Sequence, residues 1–366
     1  MKKILALVLV VALALTAMVS CSINDKEVAV IWAKQTDDFS ATMADALDRA
    51  LYIENIKYKH YDANGDSDAQ KKLVDDAIAG GAPALVLNPC NDVVALHALK
   101  AAKEANIPLI FMCATGILDT VLNLVQYDKV YSIDVDAASL TQKLGERIAK
   151  DLIENANDKD KKNDYDRNGD GKISYAFTDV VSLEAIGNSL LVQAIEKYIS
   201  ESNAAVKPVL EAAIFAPKLT AGENVTSIFE GFTGAEGNDK VATNAELLLS
   251  MEDGDIDDIL LAMRAYQLNY NKLVTHFIPL YTVGVSANAG SLLAETAKDE
   301  EKAAYSVMNT IDSGYVSAAA LEDDDAMATA AAVILRNFIK GNEPLKDVVA
   351  DYVDGKKISV PYTIYG

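Results

Sequence analysis

The chain has 366 residues, 51% of them hydrophobic and 24% charged, which excludes a disordered polymer and leaves room for two domains with separate cores. Its formal charge of -21 at pH 7 argues against nucleic acid and anionic lipid headgroups as partners, because both reward clusters of Lys and Arg. The same charge is compatible with cation binding.

Lys2 and Lys3 precede an apolar run from Ile4 to Val19 that ends in small residues before Cys21, the pattern of an export signal over residues 1–20. MVSC, Met18 to Cys21, resembles the lipobox of bacterial lipoproteins, with Met18 in place of the usual leucine. Cys21 is then the lipidation site and 21–26 a lipidated tether, and the chain is extracytoplasmic, held on a membrane by its acyl chains. An ordinary cleavage site with an incidental cysteine is the alternative. No later stretch approaches the roughly 18 apolar residues that span a bilayer.

From Val28 onward, short β-rich runs alternate with amphipathic stretches: VAVIW (28–32), a helix over 39–52, IKYKHY, a helix from about Ala69, ALVLN (84–88), a helix, and IPLIFM (107–112). The alternation resumes with YSIDV (131–135), a helix through Ile153, ISYAF (173–177), a helix to about Ile199, VLEAAIF (209–215), AELLLS (245–250), IPLYTVGV (278–285) and SAAAL (317–321). Continuous apolar strands separated by helices imply parallel sheets covered on both faces, so the fold class is α/β with two doubly wound parallel-sheet lobes. Such sheets take ligands at the carboxyl ends of their strands. No Gly-x-Gly-x-x-Gly or Walker sequence follows any strand, which removes the usual reason to propose a nucleotide. Cys90 and Cys113 each follow a buried strand and read equally as a disulfide and as two buried thiols.

DRNGDGKIS, 166–174, begins like an EF-hand calcium loop. Asp166, Asn168 and Asp170 offer side-chain oxygens two residues apart, Gly171 permits the sharp turn, Lys172 contributes its carbonyl, and Ser174 a hydroxyl or a bridging water. The twelfth position, normally a bidentate glutamate, is Phe177, so the last ligand is missing locally. DANGDSDAQ, 62–70, repeats the acidic spacing at Asp62, Asn64 and Asp66 but has Ser67 and Ala69 where the turn glycine and the apolar anchor belong. It reads as a solvated loop leading into a helix.

These residues resemble the periplasmic galactose/glucose-binding proteins that deliver sugars to bacterial ABC transporters. The likeness runs from Val28 to Tyr362 in element order and in short matches: TDDF (36–39), LVLNP (85–89), KLGERIAK (143–150), the calcium loop, and ISVPY (358–362). In that family a strand follows the loop and a glutamate at the start of a later strand completes the cage. The resemblance therefore implies structural Ca2+ held by Asp166, Asn168, Asp170, Lys172, Ser174 and, from AELLLSMED, Glu246. It also implies ligand contacts at Asp37, Phe39, Asn88 and Phe215. Glu252, Ser286 and Glu322 stand where the family has a contact asparagine, aspartate and asparagine. The family's Gly-Glu-Pro-Gly-His-Pro-Asp segment and later arginine are replaced by TDVVSLEAIGNSLL, which makes the cleft more acidic. Phe39 and Phe215 have the alternative of core packing, and Asn88 that of capping the next helix.

The implied architecture is a type I periplasmic binding protein: an N-terminal lobe of 27–112 and 322–355, a C-terminal lobe of 113–321 and 356–366, and three crossovers near 112–114, 320–322 and 354–358. The implied function is a monomeric solute-binding lipoprotein that closes on a galactose- or glucose-like sugar or an amino sugar and docks on an ABC permease. A ligand-sensing lipoprotein that engages a membrane receptor and a binder of cationic solutes are the alternatives. An enzyme is not expected: His60, His97 and His276 are dispersed, and no His-x-x-x-His, Cys-x-x-Cys or nucleophile elbow occurs.

Overall fold

The computed structural model describes residues 26–35, 38–114, 116–157, 162–166, 169–177, 186–212, 246–249, 279–286, 311–312, 314 and 316–366. The export signal, Cys21 and residues 21–25 of the tether lie outside the described residues. The chain divides into two compact units, Met1–Val135 with Asp323–Val360 and Asp136–Glu322 with Pro361–Gly366, so it passes from one to the other three times.

The first unit runs β1 (Val28–Trp32), α1 (Asp38–Ile53), β2 (Tyr58–Asp62), α2 (Ser67–Ala79), β3 (Leu85–Leu87), α3 (Asp92–Ala105), β4 (Leu109–Met112), α4 (Ile117–Leu124) and β5 (Val130–Asp136), whose last residue is the first of the second unit. The second unit runs α5 (Ala137–Glu154), a hairpin of β6 (Ala156–Asn157) and β7 (Lys162–Asn163), β8 (Ile173–Phe177), α6 (Ile186–Glu201), β9 (Leu210–Ala212), β10 (Leu247–Leu249), β11 (Leu280–Ser286) and β12 (Ala318–Glu322). The first unit then regains the chain with α7 (Asp324–Lys340), β13 (Val353–Asp354) and β14 (Lys357–Pro361), before β15 (Thr363–Tyr365) returns to the second.

The strand order is β13-β14-β5-β4-β3-β1-β2 in one sheet and β15-β12-β11-β10-β8-β9 in the other. Read from the first strand of each unit, both follow the doubly wound order 2-1-3-4-5; at the far edge the antiparallel pair β13–β14 lies beside β5 in the first sheet, and β15 lies antiparallel to β12 in the second. In the first unit the period-two geometry of β1 decides the packing. Val28, Val30 and Trp32 join α1 and α7 on one face, while Ala29 and Ile31 join α2, α3 and α4 on the other. Every residue of β1, β3 and β4 is buried, as a parallel sheet covered on both faces requires.

The division of the chain differs from the expected one at all three crossovers. β5 pairs in parallel with β4, from Leu109↔Val130 to Met112↔Ile133, so residues 113–135 belong to the first unit and the crossover falls at 135/136, not 112/113. The physical reason is that buried Val130, Tyr131 and Ile133 complete the apolar faces of that sheet. The third crossover moves from 355/356 to 360/361, because β14 extends the first sheet beside β5, with Ser132 N–H donating to Lys356 O at 3.0 Å. The second lies at 322/323 against an expected 321/322.

Cys90 packs with the α2–α4 side of the first sheet and Cys113 with the α1–α7 side, so the thiols lie on opposite faces and are not bridged. Burial pushes the Cys90 thiol up, which makes it a weak nucleophile.

Helix α5, which leads into the acidic loop, crosses α6 at a glycine. A Cβ on Gly145 would stand 2.7 Å from the Ala194 Cβ and 3.2 Å from Ile195 N. Gly145→Ala is expected to cost about 2 kcal/mol by forcing the helices apart and to lower the melting temperature measured by circular dichroism. An unchanged melt would show that the crossing relaxes freely.

Candidate functional site

Parallel strands end at a common edge, so polar residues just beyond strand ends converge there. In the first unit Asn88 follows β3. Its backbone N–H donates to Ile31 O at 3.0 Å and its Nδ2 to Met112 O, the last residue of β4, at 3.2 Å. Asn88 does not cap α3. That role belongs to Asn91, whose Oδ1 accepts from Val93 N at 3.1 Å and Val94 N at 3.0 Å. Gln70 on α2 is fully buried and grips the backbone on both sides of Pro89: Nε2 donates to Asn88 O at 2.8 Å, and Oε1 accepts from Cys90 N at 2.7 Å.

Beyond β4 the backbone turns at Cys113, whose φ of 51° is left-handed, and Ala114 N–H donates to Asp134 Oδ1 at 2.6 Å. Burial pushes the Asp134 carboxyl above its ordinary range, opposed by the Ala114 amide, a bond with Ser132 and the charge of Lys357. At the end of β1 the indole of Trp32 donates to His60 Nδ1 at 2.8 Å. An indole N–H can only donate, so the imidazole proton sits on Nε2 and points to Asp48 Oδ1 at 2.7 Å. The acidic loop after β2 behaves as a helix start: Asp66 N-caps α2, accepting from Asp68 N at 2.8 Å and Ala69 N at 3.0 Å, and these bonds hold its carboxyl below the usual range.

In the second unit Ser286 ends β11 and pairs across a register shift with Glu322, which ends β12. Half-buried Glu322 accepts from the Tyr362 hydroxyl at 3.4 Å. These two residues share the carboxyl edge of the second sheet. Phe39 is the second residue of α1. Asp37, Phe215 and Glu252 lie outside the described residues.

The calcium-loop candidates gather at the opposite, amino edge of the second sheet. Asp166 folds the loop on itself: Oδ1 accepts from Gly169 N at 2.8 Å and Oδ2 from Gly171 N at 2.9 Å, with both glycines at left-handed φ, 75° and 88°. Asp170 Oδ1 accepts from Lys172 N at 2.9 Å, and the Lys172 ammonium pairs with Glu211. Because β10 runs parallel to β8 with Leu247 opposite Tyr175, Glu246 arrives beside Ser174. Glu246 N donates to Ser174 O at 2.7 Å, and Ser174 N donates to Glu246 Oε2 at 3.1 Å. Glu246 is 1% exposed and Ser174 0%; the Ser174 hydroxyl has no hydrogen-bond partner among the described residues. Asn168 lies outside them, and among the described residues no three His, Cys, Asp or Glu side chains gather at metal-ligand spacing. The donor set is nonetheless all oxygen, and a buried carboxylate beside an orphaned hydroxyl fits a hard cation.

Sequence reasoning did not single out Gln70 or Asp134. A visible signal existed for Asp134, an acid within the β-rich run YSIDV. Gln70 had none, since a glutamine on an amphipathic helix reads as surface.

The chain belongs to the periplasmic binding protein domain family, which it matches over residues 28–343. Among curated proteins none matches. Solved structures share the fold. A sugar ABC transporter from Actinomyces odontolyticus is 12% identical with a TM-score of 0.59, over 94% of this chain and 96% of that one. The XylFII–LytSN complex is 12% identical with a TM-score of 0.53, over 93% and 97%. A galactofuranose-binding protein is 16% identical with a TM-score of 0.51, over 93% and 94%. The two mostly parallel α/β sheets are those of a type I periplasmic binding protein.

The Asp134 environment gives a pH test. Burial raises its folded-state pKa, so the folded chain holds this proton more tightly than the unfolded one. The ionised carboxylate then costs stability above the folded-state pKa, and the cost fades as pH falls back through it. Asp134→Asn, which keeps an acceptor for Ala114, is expected to melt higher than the wild type at neutral pH and to lose that advantage in acid. Equal melting at neutral pH would show the carboxylate to be well solvated.

Proposed function

We propose that the chain is an extracytoplasmic solute-binding lipoprotein, anchored through Cys21, that captures a galactose- or glucose-like sugar or an amino sugar and delivers it to an ABC permease. The observation that carries this reading is the placement of Asn88 at the carboxyl edge of the first sheet and of Ser286 and Glu322 side by side at that of the second. Planar amides and carboxylates of this kind form paired hydrogen bonds with adjacent hydroxyls. Family membership supports an extracytoplasmic binding role, and two of the structural neighbours are described by their sugars or by sugar transport. By the family resemblance Asp37, Phe39, Phe215 and Glu252 complete the ligand set.

Two second readings each have an observation behind them. Half-buried Glu322 favours a ligand carrying an ammonium group, because a desolvated carboxylate is stabilised by counter-charge. The XylFII–LytSN neighbour was solved as a complex with a second protein, which favours presentation of the bound form to a receptor.

A structural calcium ion belongs to the same proposal. Asp166, Asn168, Asp170, the Lys172 carbonyl, Ser174 and Glu246 would hold it, and the buried Glu246 carboxylate with the orphaned Ser174 hydroxyl supports it. The ion would supply charge neutralisation that ties the loop to β10.

A thermal-shift panel of D-galactose, L-arabinose, myo-inositol and D-glucosamine is expected to show stabilisation by at least one member. Saturation at a hundredfold excess over Kd corresponds to about 2.7 kcal/mol. No shift with any of them overturns the sugar reading. Separately, a calcium chelator is expected to lower the wild-type melting temperature, and Glu246→Gln to melt lower and be indifferent to chelator. A wild-type melt that ignores chelator overturns the metal.

A further inference from the structure

We infer that Gln70 is the positioning residue of the sugar site, which sets Asn88 as a hydrogen-bond acceptor for the bound solute; this rests on the sugar-binding reading above. Three observations lead there. First, Gln70 is 0% exposed, and a buried primary amide is costly unless both ends are matched. Here both ends are matched to backbone: the nitrogen to Asn88 O and the oxygen to Cys90 N. Second, these groups flank Pro89, which has no N–H of its own, so neither neighbouring strand can hold the loop at that residue. The Asn88 N–H still bonds to Ile31 O, and beyond it the glutamine takes over from the ladder and fixes the course of the chain through Pro89. Third, the Asn88 side chain has only one possible orientation. Met112 O accepts and cannot donate, so Nδ2 must face it, at 3.2 Å. Oδ1 is then turned away, and among the described residues no hydrogen bond occupies it.

The consequence is chemical. At this point of the edge the solute must present a donor, a hydroxyl or an ammonium, and an ether or deoxy position fails. A rotation of the loop would break the Met112 bond, free the amide to flip and abolish that preference; the Asn88 N–H bond to Ile31 O holds the loop on its strand side, and Gln70 holds it beyond, on both sides of Pro89.

A carboxylic acid has the same donor and acceptor layout as an amide only while protonated, which makes Gln70→Glu a pH-dependent probe. The experiment titrates the full mature chain with the tightest of D-galactose, L-arabinose, myo-inositol and D-glucosamine, in four versions: wild type, Gln70→Glu, Asn88→Ala and the double variant. At neutral pH Gln70→Glu is expected to bind about tenfold more weakly, as one misaligned polar contact costs, and to recover toward wild type in acid. In the Asn88→Ala background the same change is expected to add nothing, because the group it positions is gone. Gln70→Met, apolar and of similar volume, serves if the glutamate variant does not fold, with the same comparison across the two backgrounds. Equal weakening with and without Asn88, or no weakening at all, overturns the inference and leaves the sugar-binding reading intact. Failure of the wild type to bind any of the four sugars overturns both.

Discussion

Parallel pairing of buried strands is the constraint on which the rest of the molecule depends. It demands apolar side chains on both faces, which Val28–Trp32, Leu85–Leu87 and Leu109–Met112 supply without interruption. It also forces the parallel strands of a unit to end on one side. Polar residues placed after different strands, far apart in sequence, thereby become neighbours. Asn88 meets the end of β4, and Ser286 meets Glu322, for no reason other than shared direction and register.

The same constraint separates the two kinds of site. The acidic loop and Glu246 stand where β8 and β10 begin, whereas Ser286 and Glu322 stand where β11 and β12 end. A cation at the first place would be remote from Ser286 and Glu322 at the other edge of its own sheet and would act on stability. The Glu246 carboxylate has to be satisfied where it is, because removing an ionised group from water costs several kcal/mol unless donors or a cation surround it. The Ser174 amide supplies one donor and fixes the carboxylate's orientation from β8. The adjoining network extends this polar support inward: the Tyr281 hydroxyl donates to Asp151 Oδ2 at 2.7 Å and lies 3.3 Å from the Tyr165 hydroxyl, and Asp151 is gripped by Arg147 Nε. Burial drives the Tyr281 hydroxyl strongly upward, so it stays a proton donor to the carboxylate.

Much of the strand order was legible in the sequence because a buried parallel strand is an unbroken apolar run. ISYAF is β8 to the residue, and VAVIW is β1. What was not legible is which sheet a run joins. YSIDV reads equally well as the last strand of one unit or the first of the next, and only pairing with β4 decides. The short hairpin of β6 and β7 carries no apolar period and reads as loop. Among the site residues, the spacing of Asp166 and Asp170 and the glycine between the second acid and Lys172 were local signals, and family resemblance was needed to reach Glu246. Asn88 too was named through the family resemblance, but the group that orients it was not. Gln70 acts through two backbone atoms across eighteen and twenty residues, and such a contact leaves no pattern in its own neighbourhood.

The strands added at the far edges have a bearing on how the molecule assembles. Residues 353–365 supply β13 and β14 beside β5 and β15 beside β12, so a single late stretch of chain seals the fifth-strand edge of both sheets. Until that stretch is in place each sheet keeps an open row of backbone donors and acceptors, a template for wrong partners. The two units therefore depend on the same residues to cover that edge. Neither sheet can close this edge before residues 353–365 have emerged, so one stretch decides how long the open edges of both units stay exposed.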